Sequence, residues 1–312
     1  MDFLQELERK VKQIEELIKK YMPSCADSDE TKTIYQAMEY SLMAGGKRLR
    51  PMLMAEVYSL FQTTGKEEIL ERFMVAIEMI HTYSLVHDDL PAMDNDEYRR
   101  GRKTTHIVYG EAMGVLAGDA LLNSAFELAA ECFDTKLLLR DGMSEKEQLE
   151  TVSQVAKALQ ILAKKAGIKG MIGGQVMDIE AEGNCLELSV LNRLNALKTG
   201  ALLEASMMIG AVLAGADDEQ TAVIEEAARD IGLAFQIQDD ILDVTGKAEE
   251  LGKPVHSDEK NHKNTYVALY GVDKAKKQVE SYSAHACDIL NKLPVSNAFL
   301  SELILYLTDR KN

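Results

Sequence analysis

The densest chemistry in the sequence lies at His87-Asp88-Asp89-Leu90-Pro91-Ala92-Met93-Asp94-Asn95-Asp96, followed at once by Arg99, Arg100 and Gly101. Four carboxylates in nine residues, backed by two guanidinium groups, make a place where divalent cations and phosphate oxygens can meet. A second acidic cluster, Gln236-Ile237-Gln238-Asp239-Asp240-Ile241-Leu242-Asp243, follows about 150 residues later. Two such clusters suggest one cavity lined from two sides. The ordinary reading of an acidic run is a solvated loop. Against it, the stretch leading into the first cluster, from Glu68 to Val86, carries few charges, so a helix delivers Asp88 and Asp89 from the core. Pro91 cannot continue that helix and biases Leu90 away from helical geometry, which lets Asp94 swing back from the loop. Carboxylates at a helix C-terminus meet the unfavourable end of the dipole and repel one another. Mg²⁺, held by one or two carboxylates plus substrate phosphates, removes both problems. In the second cluster Gln236, Asp239 or Asp240, and Asp243 fall on one helical face among apolar neighbours, where acids are costly without counter-charge.

The elements that must position these groups read as helices. Leu4, Leu7, Val11, Ile14, Ile18 and Tyr21 form the apolar stripe of an amphipathic N-terminal helix over residues 1–22, expected to dock on the body rather than to pair as a coiled coil. A helix from Thr33 to Ala44 is stopped by Gly45-Gly46, after which Lys47-Arg48-Leu49-Arg50-Pro51 brings three cations in four residues. A basic turn is usually only solvated, although glycines allow close approach and cations there can reach phosphate. Pro51 starts a helix from Met52 to Phe61, and Glu67 to Leu90 is the long helix carrying the first aspartates. On it His81 lies two turns before Asp88, and Tyr83 lies roughly 7 Å deeper along the axis than Asp88; core packing is the usual fate of such residues. Further helices are expected over Gly110 to Cys132, Ser144 to Ala166, Gly173 to Ala181, Leu186 to Ala216, Glu219 to Leu242, Val272 to Leu290 and Asn297 to Leu307. They carry Gln175 with Asp178, and Lys198 with Thr199; Lys253 and Lys263 follow the second acidic cluster. With no strand run and no repeat, the class is all-α.

The chain has 312 residues, 46% of them hydrophobic, enough for a large core. Only five prolines and no low-complexity linker interrupt it, which favours one large domain over residues 1–312. A formal net charge of −16 argues against a nucleic-acid partner and against an anionic membrane surface, so an anionic substrate must be captured by local cations. Cys25, Cys132, Cys185 and Cys287 are scattered without paired spacing, as in reduced thiols of a cytoplasmic protein. The N-terminus is too charged for a signal peptide. The most apolar stretch, the 12 residues from Ala205 to Ala216, is too short to span a bilayer and reads as a buried helix.

Taken in order, Gly45-Gly46-Lys47-Arg48-Leu49-Arg50-Pro51, the DDLPAMD run with its following RRG, Gly174-Gln175 to Asp178, Lys198-Thr199, the FQIQDDILD run and GKP followed by KNTY resemble the trans-isoprenyl diphosphate synthases. The likeness runs from about residue 33 to about residue 270 and is most similar to the bacterial-type farnesyl diphosphate synthases. It implies an isoprenoid synthase fold, a helical bundle around a central cavity, normally homodimeric. It implies head-to-tail (1′-4) condensation of an allylic diphosphate with isopentenyl diphosphate. Asp88, Asp94 and Asp239 would hold Mg²⁺, three ions per site with substrate bound, supported by Asp89, Asp240, Asp243 and Asp178. Arg99, Lys198, Lys253 and Lys263 would add positive charge to the allylic leaving group, whereas Lys47, Arg50, His81 and Arg100 would bind isopentenyl diphosphate. Thr199 and Gln236 would offer oxygen dipoles to the allylic cation. Tyr83, with small Ser84 beside it, would be the floor that limits the product to C15, a C20 product being the alternative. His256 stands where relatives commonly have Gly.

A terpene cyclase shares fold and first motif, but DDILD and GGKRLRP argue against it. A His-Asp metal phosphohydrolase would need upstream histidines beyond His81 and leaves DDILD unexplained. A non-catalytic subunit predicts decayed aspartates, and both clusters are intact.

Overall fold

A computed structural model describes residues 2–61, 65–139, 142–181, 183, 186–245, 265–293 and 296–308. These are overwhelmingly helical, as the periodicity predicts, and the chain groups into two compact units. Unit 1 comprises Met1–Met52 and Gly65–Ala156; unit 2 comprises Leu53–Thr64 and Lys157–Asn312.

In unit 1 the organising element is α4 (Glu67–Asp88), with Glu67 and Glu68 in its first turn, where the dipole favours acids. Phe73, Ile77, Met79 and Ile80 are wholly buried, so the helix is apolar on nearly every side and must be wrapped. Around it pack α1 (Phe3–Tyr21), α2 (Lys32–Leu42) and α6 (Glu111–Glu131). The N-terminal stripe docks as expected: Ile14 and Ile18 are buried, and the Tyr21 hydroxyl and Lys20 ammonium both reach the Glu71 carboxylate, at 2.8 and 2.7 Å. Its first residue, Leu4, stays exposed.

The expected absence of strands fails in one place. Tyr98–Arg99 (β1) and Arg102–Lys103 (β2) pair antiparallel around the two-residue loop Arg100-Gly101, both at positive φ. A loop of this length needs left-handed backbone at both positions to match strand twist. An alternation of two residues is too short to register as a strand pattern. The short α5 (Thr105–Tyr109) follows, then α6.

The boundaries around Pro51 also shift. Helix α3 (Leu49–Ser59) begins before the proline, which occupies its first turn, where a missing N–H costs nothing. After α7 (Thr135–Leu138), α8 (Glu145–Ala166) leads into unit 2.

Unit 2 is built on α11 (Ala201–Leu213), in which every residue but Met208 is buried, and on the 28-residue α12 (Asp218–Thr245) packed against it. The helices α13 (Tyr266–Tyr270), α14 (Val272–Leu290) and α15 (Ala298–Thr308) complete it, α14 lying along α12. The single helix expected from Leu186 to Ala216 is instead three pieces: α10 (Leu188–Asn195), a π turn over Ala196–Gly200, and α11. The span Leu188–Leu213 is long and apolar enough to cross a membrane, yet 78% of that window is buried inside the protein, in keeping with a core helix.

Cys25, Cys132 and Cys287 are free thiols among the described residues. Burial pushes the Cys132 thiol from 9 up to about 12, so its thiolate fraction at pH 8 falls roughly a thousandfold. The native protein is therefore expected to resist iodoacetamide at Cys132 at pH 8 and to react there only after denaturation, as read by peptide mass mapping.

Candidate active site

The acidic end of α4 is shaped by backbone hydrogen bonds. Asp88 is its last residue, the Asp89 N–H donates to the Leu85 carbonyl at 3.1 Å, and the Asp94 N–H donates to the Asp88 carbonyl at 2.9 Å. The loop after Pro91 thus returns over the helix end, as the proline predicted. Asp88 is half-buried and Asp94 exposed. Asp89 differs: it is buried, and Arg99 Nε donates to its Oδ1 at 2.7 Å. Burial pushes the Asp89 carboxyl up to about 6 despite the Arg99 guanidinium, with Asp96 and Asp88 adding repulsion. Arg99, expected to add positive charge to the allylic leaving group, is the ion-pair partner of Asp89 in the free protein.

A basic cradle lies in the same unit, around His81 two turns before this end. The turn Gly45–Arg48 is left-handed at Gly45, Gly46 and Arg48. Arg100, itself at φ 53, donates through Nη1 to the Gly45 carbonyl, so the β1–β2 hairpin folds onto that turn. A non-glycine residue held in this region is strained and persists only when its surroundings fix it. Arg48 is turned inward: Nη1 donates to Glu78 Oε1 at 2.7 Å and Nη2 to the Leu42 carbonyl at 2.8 Å. Arg50 Nε is buried without a hydrogen-bond partner among the described residues, and burial lowers its guanidinium to about 10. Burial first, then the positive charges of Arg50, Arg100, Arg99 and Arg48, hold His81 well below the usual imidazole range. The predicted isopentenyl-site residues Arg50, His81 and Arg100 therefore stand in one cluster, with Lys47 exposed on the turn.

Tyr83 is buried on α4, and burial, then Asp88, pushes its phenol up to about 12. Its ring meets that of His87 edge to face, centroids 5.7 Å apart. His87 is fixed in turn: Nε2 lies 2.9 Å from the Val115 carbonyl oxygen. Its ring packs where a side chain at Gly118 would stand. Ser84 donates to the His81 carbonyl at 2.8 Å.

In unit 2 the π turn carries Lys198 and Thr199. Such turns hold one residue more than an α turn and recur at functional sites. Helix α9 (Met171–Glu180) crosses it so closely that a methyl group at Gly174 would sit 2.5 Å from Lys198 Cα and 2.7 Å from the Leu197 carbonyl carbon. The crossing lets Lys198 Nζ pair with Asp178 Oδ2. Thr199 Oγ1 donates to Gln236 Oε1 at 2.9 Å, Gln236 Nε2 donates to Asp240 Oδ1 at 3.1 Å, and the Tyr266 N–H donates to Asp240 Oδ2 at 2.8 Å. This relay fixes which way the Gln236 amide faces. Asp240 and Asp243 are buried, whereas Asp239 is only half-buried.

A family model described as polyprenyl synthetase matches residues 31–290. The chain belongs to the polyprenyl synthetase family. It is 45% identical over 267 residues to a farnesyl diphosphate synthase of Geobacillus stearothermophilus, covering 85% of this chain and 84% of that one. A chloroplastic geranylgeranyl pyrophosphate synthase of Catharanthus roseus is 43% identical over 281 residues, 89% of this chain and 74% of that one. Among solved structures, a Helicobacter pylori geranyltransferase complexed with magnesium and isoprenyl diphosphate aligns with TM-score 0.79 and 31% identity, covering 98% of this chain and 96% of that one.

Against this family background, the all-α expectation holds apart from the hairpin. Lys253, Lys263 and His256 lie outside the described residues. Sequence reasoning missed Glu78 and Gly118, and it named Gly174 and Tyr266 only as motif positions, without the contacts they make. Each acts through a long-range contact that no local pattern records.

Among the described residues no group of three or more His, Cys, Asp or Glu is gathered as a protein-only metal cage. Mg²⁺ needs no such cage, because it binds through one or two carboxylates and completes its shell with phosphate oxygens and water. The oxygen-only donors Asp88 and Asp94, brought to one helix end by the Asp94 N–H bond, fit an ion that arrives with a diphosphate.

Proposed function

We infer that this chain is a prenyltransferase that condenses an allylic diphosphate, dimethylallyl or geranyl, with isopentenyl diphosphate head to tail, giving farnesyl diphosphate. The observation that carries the reading is the separation of two kinds of anion-binding chemistry. Carboxylates suited to Mg²⁺ stand at the end of α4, and a cradle of Arg50 and Arg100 around His81 stands two turns back along it. One diphosphate must leave and the other must stay, and the two sets divide those tasks.

Asp88, Asp94 and Asp239 would hold Mg²⁺, three ions with substrate bound, supported by Asp89, Asp240, Asp243 and Asp178; bound there it neutralises charge on the departing allylic diphosphate. Lys198, paired with Asp178 in the free protein, turns to the same leaving group, with Arg99, Lys253 and Lys263 adding charge. Thr199 and the amide oxygen of Gln236, oriented by Asp240, face the allylic cation. Lys47, Arg50, His81 and Arg100 bind the isopentenyl diphosphate, leaving its C–O bond intact. Its double bond attacks the cation, and the proton lost afterwards goes to the released diphosphate. A homodimer in the cytoplasm completes the assignment, supported by the exposed apolar residues Val115 and Leu116 on α6 and by the free thiols.

Tyr83, wedged by His87 against α6, is the floor for a C15 chain. The test is product size. Wild-type protein with isopentenyl and geranyl diphosphates and Mg²⁺ is expected to give a C15 alcohol after dephosphorylation, and Tyr83→Ala a product lengthened to C20 or beyond, both sized by chromatography. A C20 product from the wild type would favour the geranylgeranyl reading and remove the floor; a C15 product from the variant would also remove it.

A further inference from the structure

We propose that Glu78, buried in α4, is a positioning residue of the isopentenyl diphosphate cradle, acting through Arg48 to set affinity for the diphosphate that does not leave; the proposal rests on the functional reading above. Glu78 and Arg48 are each only 2% exposed and meet at 2.7 Å. A buried ion pair of this kind is weak evidence for stability, because desolvating two charges offsets their attraction. What the pair does is geometric. Arg48 takes a left-handed backbone, φ 48, and its second nitrogen donates to the Leu42 carbonyl. One guanidinium therefore ties the end of α2, the Gly45–Arg48 turn and the middle of α4 together. Lys47 and Arg50 flank Arg48 in sequence, so where Arg48 is anchored decides where they stand. His81 is three residues along the same helix, one turn from Glu78.

Charge leads to the same assignment. The guanidiniums of Arg48, Arg50, Arg99 and Arg100 surround His81, and Arg99 is neutralised by Asp89. Glu78 pairs with Arg48 and also attracts Arg50 and Arg100. Glu15 lies 3.9 Å from Arg48 and Asp89 also attracts Arg100, but Glu78 is the carboxylate that acts on Arg48, Arg50 and Arg100 alike, and it lets these guanidiniums gather before any anion arrives, a preorganisation that otherwise has to be supplied at binding.

The test is the split of kinetic constants in Glu78→Gln, which keeps the shape and removes the charge. KM for isopentenyl diphosphate is expected to rise at least tenfold, with KM for geranyl diphosphate within twofold and kcat at saturation within threefold of wild type. Because the single variant leaves Arg48 buried without its partner, Arg48→Met/Glu78→Met serves as the second measurement; it removes both charges, retains a packed core, and is expected to show the same selective rise. If folded variants bind isopentenyl diphosphate as wild type does, or if both KM values rise equally, the proposal fails. A wild-type protein that condenses nothing overturns the functional reading instead, and that result is read before any variant is made.

Discussion

Replacing Asp88 by asparagine is expected to lower kcat roughly a thousandfold, about 4 kcal/mol of lost transition-state stabilisation, while leaving the melting temperature unchanged or higher. The activity loss follows from the role proposed for the Asp88 carboxylate at the departing diphosphate. The stability half comes from the structure. The turn at Asp88 is held by its carbonyl, which accepts from the Asp94 N–H, so a side-chain change leaves the backbone intact. The lost charge also lies at a helix C-terminus and is one of those raising the Asp89 carboxyl, so removing it relieves repulsion. A thermal melt and a labelled-isopentenyl incorporation assay decide it. A variant within tenfold of wild-type kcat would remove Asp88 from the metal-binding set.

The second large effect is expected at Gly174→Ala. Its new methyl group would press on the Lys198 and Leu197 backbone, which cannot rotate away as a side-chain tip can. Forcing the helices apart costs about 1–3 kcal/mol, and a displacement near 1 Å of a reacting group costs roughly a hundredfold in rate. Because Lys198 and Thr199 ride on that π turn, the loss should fall on kcat/KM for the allylic substrate and resemble that of Lys198→Ala, with KM for isopentenyl diphosphate nearly unmoved. Wild-type kcat/KM in a variant of normal stability would show that the π turn does not need this close crossing.

Most of the fold, and the groups proposed to react, were legible in the sequence because both are written in short-range patterns. The apolar faces of α1 and α4, the break at Pro91 and the return of Asp94 follow from periodicity and from proline sterics. The pairings were not legible, because a charge in a sequence does not say which opposite charge it meets. Asp89 with Arg99, Lys198 with Asp178, and Arg48 with Glu78 each required the fold. The π turn was hidden for a different reason. Its residues, Ala196-Leu197-Lys198-Thr199-Gly200, have no composition that distinguishes them from an ordinary helix, and the extra residue shows only when α10 and α11 are both packed.

That extra residue makes the segment sensitive to length rather than to composition. Each residue of an α-helix turns the chain by about 100°, so a deletion between Asn195 and Ala201 could smooth the helix only by rotating α10 relative to α11. Leu191 and Leu194 are buried on one side of the turn and Leu202 and Leu203 on the other, and all four would lose register together. Substitutions can accumulate along this stretch, whereas a change in its residue count would set local helical regularity against the packing of unit 2.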